Sequence, residues 1–171
     1  MDAQAVAATG RFLGETWGFW IQTVALLVSA AGAIWLIYSN GEAEKLRATV
    51  DLVLNQKQDK ELQDALRHVR ELREAKVTNF SKYLENRDSE DFKSIMRVLN
   101  NYEFIAAGIE EAAFDERLFK RMQCSVLLDN WKVLCGFVME IRGQYNHPTL
   151  FQEFQRLAKK WESNPLKKYE S

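Results

Sequence analysis

One uncharged run constrains this chain more than any other feature. Residues 17–38, WGFWIQTVALLVSAAGAIWLIY, contain no Asp, Glu, Lys or Arg. At about 1.5 Å per residue the run covers a hydrocarbon core of about 30 Å. A helix is the single-segment structure that satisfies every backbone amide in lipid, so the run reads as one transmembrane helix. Trp17 and Trp20 at one boundary, with Trp35 and Tyr38 at the other, supply amphipathic rings that settle at headgroup depth as interfacial anchors. The rival reading is a cleaved signal peptide, with Ser29, Ala30, Ala31 and Ala33 as the small residues of a cleavage site. Against it, the leader of residues 1–16 holds one basic residue, Arg11, and apolar residues continue through Ile34, Trp35, Leu36 and Ile37.

Charge gives the orientation. Lys45, Arg47, Lys57 and Lys60 follow the run closely, whereas Arg11 alone precedes it. The positive-inside rule then leaves the N-terminus outside and the C-terminal domain in the cytoplasm. Cys124 and Cys135, sparse in a long polar region, agree with a reducing compartment. After the span the chain has 22 basic and 22 acidic residues. This balance argues against nucleic-acid binding, and no Lys/Arg cluster beside the span marks a polybasic lipid belt. Membrane lipid remains the one partner implied by composition.

Beyond the span every long segment has helical period. Residues 39–59 read as a juxtamembrane helix and connector, with Ser39-Asn40-Gly41 as a joint where the membrane helix can end or bend. Residues 60–163 read as a helical bundle domain and 164–171 as a flexible tail. Leu62, Leu66, Val69 and Leu72 form one stripe, and Lys60–Asp64, Arg67–Glu71 and Arg70–Glu74 are opposite charges four apart. Asp88 or Ser89 can cap a helix carrying Phe92, Ile95, Met96, Leu99, Tyr102, Ala106 and Ile109. Asp115 can cap a longer one with Leu118, Met122, Val126, Leu127, Trp131, Leu134, Val138 and Ile141 inside, kinked or straight at Gly136, and ending at Gly143. Pro148 opens the last amphipathic helix, with Phe151, Phe154, Leu157, Ala158 and Trp161. The expected fold is all-α: a single N-terminal transmembrane helix followed by a cytosolic bundle of about five helices.

Chemistry is harder to find. Glu103 borders a buried stripe, with Asn100 one turn before it, and a carboxylate there needs a partner. Arg142 is the favoured one, which makes Asn100, Glu103 and Arg142 a candidate polar cluster, either a structural ion pair or a switch. Gly108 can allow close helix approach. Neither His68, in a charged helix, nor His147, before Pro148, has a nucleophile or carboxylate at a catalytic spacing. The chain has no HExxH, CxxC, GxGxxG or GxxxxGK, so no catalytic residue, metal ligand or cofactor is assigned. In the span Ala25, Ser29 and Ala33, with Gly32 beside them, form a small-residue ridge on which a second helix could pack.

The segments VLNNYEFIAAGI (98–109), Asp115-Glu116, Trp131, Arg142 and FQEFQRLAKKW (151–161) resemble an uncharacterised bacterial family, domain of unknown function 4760. The resemblance implies a membrane anchor with a cytosolic helical domain, and by extension a bacterial inner membrane. It brings no activity or ligand, and raises the weight on Asn100, Glu103 and Arg142. The expected function is a non-catalytic scaffold, acting at the cytoplasmic face through a protein partner or as a homo-oligomer. The alternative is a membrane-tethered sensor or effector, of stress or phage-exclusion type, that uses the polar cluster.

Overall fold

The computed structural model describes residues 11–12 and 15–166. The leader of residues 1–16 therefore lies mostly outside the described residues, as does the tail beyond residue 166. What is described of the leader is one small hairpin: β1 (Arg11–Phe12) pairs antiparallel with β2 (Glu15–Thr16). Everything after it is helical: α1 (Trp17–Gln58), α2 (Lys60–Glu74), α3 (Ser81–Glu85), α4 (Glu90–Glu110), α5 (Glu116–Tyr145) and α6 (Gln152–Ser163). The five helices after α1 match the expected number. Two compact units divide the chain within α1, residues Met1–Glu44 and Lys45–Ser171.

In the first unit, α1 is long and apolar enough to cross a membrane, and none of its apolar window is buried inside the protein. Trp17, Trp35 and Tyr38 are exposed, at 59%, 72% and 73% of their surface. A core helix of a soluble protein would hide such a face, so exposure of this extent is what a lipid-facing segment requires. The joint expected at Ser39-Asn40-Gly41 does not end the helix, because α1 runs through it to Gln58. A glycine inside a helix costs about 1 kcal/mol, too little to stop one that continues on both sides.

In the second unit the rest of α1 contributes Thr49 and Val53 to a buried core. Asp59 is the whole connector to α2: its side chain accepts a hydrogen bond from the Leu62 N–H at 3.0 Å and caps the helix. Ser89 and Asp115 cap α4 and α5 in the same way, through Phe92 N at 3.2 Å and Leu118 N at 2.6 Å. The central helix is α4, packed on α2 and α6, and it buries Ile95, Val98, Leu99, Tyr102, Ile105, Ala106 and Ile109. Its far end turns through Ala112, whose φ is 56°, and Phe114 folds its ring over Gly108, where any Cβ would collide with it.

Three expectations about the later helices need correction. α5 does not end at Gly143 but continues to Tyr145, with Asn146 in the left-handed conformation as its stop. Pro148 lies in the turn before α6 and not inside it, since that helix begins at Gln152. Met122 and Val126, expected inside, are exposed at 40% and 47%. Their positions continue the apolar period of α5, but its neighbours cover a narrower stripe there. Gly136 sits within the unbroken α5 and lets the Phe80 ring approach to 3.3 Å of where a Cβ would be.

Candidate functional site

Of the three residues of the expected polar cluster, the structure sets Asn100 apart and brings Glu103 and Arg142 to one turn without pairing them. Asn100 faces solvent on α4, because three helical positions before Glu103 leave it about 60° further round the helix. Glu103 and Arg142 do not pair with each other. Both instead grip the turn that leads into α6, whose N-terminal residue Phe151 has no capping side chain. The Glu103 carboxylate accepts from the N–H groups of Glu153, at 3.2 Å, and Phe154, at 2.8 Å. These are donors a local cap would satisfy, and a carboxylate also suits the positive end of the helix dipole. Arg142 donates from Nε to the Leu150 carbonyl and from Nη1 to Gln155 Oε1, each at 2.8 Å. Together they hold a turn in which Phe151, buried at 3% exposure, has a φ of 57°. A bulky residue in that region is strained and persists only where its surroundings fix it.

A different set of residues forms a concavity. A cleft of about 650 Å³ opens in the second unit between α2 and α5, with the end of α1 at its rim and Tyr102 of α4 at its floor. α2 supplies Gln63, Leu66, Arg67, Val69, Arg70 and Arg73, at the spacing of one helix face; α5 supplies Gln123, Val126, Asp129, Asn130 and Val133 on the same principle. Gln56 and Lys57 close one end. The volume lies within the range of small-molecule sites.

Charge in the cleft is one-sided. Lys57, Arg67, Arg70 and Arg73 face a single carboxylate, Asp129, which binds Arg73 Nη1 at 2.6 Å. Arg67 is held at 2.9 Å by Asp64 on its own helix. At the floor Asn130 Nδ2 donates to the Tyr102 hydroxyl at 2.9 Å. Burial pushes the Tyr102 phenol up to about 12, against the opposing hydrogen bond from Asn130, so its proton stays on the oxygen. That hydroxyl therefore accepts from Asn130 and retains a proton to donate.

The remaining candidates fall into structural roles. His68, expected in solvent, is half-buried on α2, with Nδ1 3.8 Å from Glu71 and Nε2 3.4 Å from Asp91 of α4. His147 is exposed in the turn before α6. Both thiols are free, Cys124 buried and Cys135 half-buried. Among the described residues no three His, Cys, Asp or Glu side chains gather to hold a metal ion. In the span Ala25, Ser29, Gly32 and Ala33 are exposed, with nothing within 4 Å of a Cβ placed on Gly32.

None of the cleft residues stands out as a site in the sequence alone. The available signal is the run Arg67, Arg70 and Arg73, three apart; Arg67 and Arg70 have Glu71 and Glu74 four positions on, a spacing that marks a solvated face.

Comparison with known proteins gives one match. The model of a family described as a domain of unknown function (DUF4760) fits residues 23–161. No curated protein and no solved structure matches the chain.

Proposed function

This chain belongs to the DUF4760 family, and we propose that it works as a single-pass membrane-anchored binding module that performs no catalysis. On this reading the bundle stands on the cytoplasmic face of a bacterial inner membrane and holds a protein partner or a second copy of itself there. The observation that carries it is α1: an apolar segment with no residue of its window covered by protein, in a helix that also places Thr49 and Val53 in the core of the second unit. Lys45, Arg47, Lys57 and Lys60 support the orientation through the positive-inside rule. Free Cys124 and Cys135 fit a reducing compartment.

The test is cross-linking in intact membranes, followed by mass spectrometry of the full chain purified in mild detergent. The expected result is a reproducible conjugate, with another protein or with a second copy, mapping to the second unit or to the ridge of Ala25, Ser29, Gly32 and Ala33. A chain that stays monomeric and unconjugated over the same reaction contradicts the reading. A sensor role keeps one specific support, the cleft. Glu103 and Arg142 lend it less, since both hold the turn into α6.

A further inference from the structure

We propose that the cleft between α2 and α5 binds a small ligand carrying a diphosphate group, gripped by Lys57, Arg67, Arg70 and Arg73 and met at the floor by Tyr102 and Asn130. The site deepens the binding-module reading but depends only on the second unit, so it stands or falls separately from the anchor.

Four cations line the cleft; Asp129 pairs Arg73 and Asp64 pairs Arg67, which among the described residues leaves Lys57 and Arg70 as a surplus that a neutral ligand would not use. Arginine dominates the set, and its planar fork matches the oxygens of phosphate and carboxylate. Spacing decides between them. Arg67 and Arg73 are six residues apart on α2, about 9 Å along the axis. Two linked phosphates carry acceptor oxygens along more of that length than one carboxylate does, so they meet more of the three forks at once. Arg70, between them, is exposed, and among the described residues no ion pair or hydrogen bond to a protein group occupies its guanidinium. Arg73 is kept in place by Asp129, which positions its remaining donors while offsetting one of the four charges.

The floor adds discrimination. Tyr102 is 3% exposed and Asn130 8%, and each is both a wall of the cleft and a partner of the other. Since the Tyr102 oxygen already accepts from Asn130, its own proton is available to an acceptor outside the pair, which a phosphate oxygen would supply. Leu66, Val126 and Val133 line the same cleft and offer apolar surface to the uncharged part of such a ligand.

The probe is inorganic pyrophosphate, titrated by calorimetry into the full chain in uncharged detergent, with sulfate at matched ionic strength as reference. Pyrophosphate should bind with Kd below about 1 mM and sulfate should not. Arg70→Ala should weaken binding about tenfold or more, the usual loss for one charge-assisted hydrogen bond, with the thermal midpoint unchanged. Asp129→Asn should tighten it, because one opposing charge leaves the cleft. Tyr102→Phe should weaken it several-fold with the ring's packing kept. Lys159→Ala, on the exposed face of α6, should change nothing. Absence of pyrophosphate binding overturns the proposal, and so does binding that sulfate matches or that Arg70→Ala and Asp129→Asn leave unaltered. A last arm locates the source: in nanodiscs, competition by a membrane lipid with a diphosphate headgroup, such as a prenyl diphosphate, assigns the diphosphate to a lipid, and its absence to a soluble compound.

Discussion

Glu103 shows what a single residue can disclose in advance. Its place beside a buried stripe is legible from spacing, and so is its need of a partner. The partner is not, because the N–H groups it binds belong to a helix that lacks a cap of its own, and that lack matters only once α6 is docked. Glu103→Ala should leave two donors of α6 unsatisfied and cost about 1–3 kcal/mol. Chemical unfolding of the full chain in mild detergent measures it. The result to expect is a lower midpoint without loss of the helical signal in the native baseline. Glu116 gives a pH dependence. Burial alone would raise its carboxyl, but hydrogen bonds from Lys160 and Trp161, and the charges of Lys160 and Lys120, outweigh burial and hold it below its ordinary 4.5. The folded chain thus binds that proton less readily than the unfolded one. Its contribution is complete above 4.5 and is lost as pH falls through the lowered folded value. Unfolding midpoints compared at neutral pH and below 4.5 should drop less in Glu116→Gln than in the natural chain.

At the scale of elements, caps and apolar periods told most of the story. Asp115 and Ser89 stand where a capping residue was expected, and α4 buries the stripe its spacing announced. Ends were less legible than beginnings, since a left-handed Asn146 stops α5 where Gly143 looked the better terminator. The cap of α5 is also tied to α1, which no local pattern reveals: the Asp115 N–H donates to Thr49 Oγ1 at 2.8 Å, and Thr49 Oγ1 donates to the Lys45 carbonyl at 2.8 Å. Thr49 is fully buried. Thr49→Val keeps the shape and removes the acceptor, so it should cost about 1–3 kcal/mol through a stranded donor. Thermal unfolding of the full chain checks this, and an unchanged midpoint would mean that the contact adds no stability. Gly108→Ala, driving a methyl into the Phe114 ring, should destabilise by about 1–3 kcal/mol in the same assay.

For the whole molecule, the anchor and the all-helical bundle were readable because both are repeated patterns: one long uncharged run, then apolar residues at helical period. The cleft was not. It is assembled from four helices, and its cations looked like ordinary solvated charge until α5 was laid opposite them. The proposed function requires a lipid-embedded α1 with the second unit on the cytoplasmic side. The most direct measurement fuses a fluorescent protein or alkaline phosphatase to the C-terminus of the full chain in bacterial cells and follows both reporters in alkali-washed membranes. The expected result is fluorescence retained in the membranes and an inactive phosphatase. Active phosphatase, or fluorescence released by the alkaline wash, would contradict it.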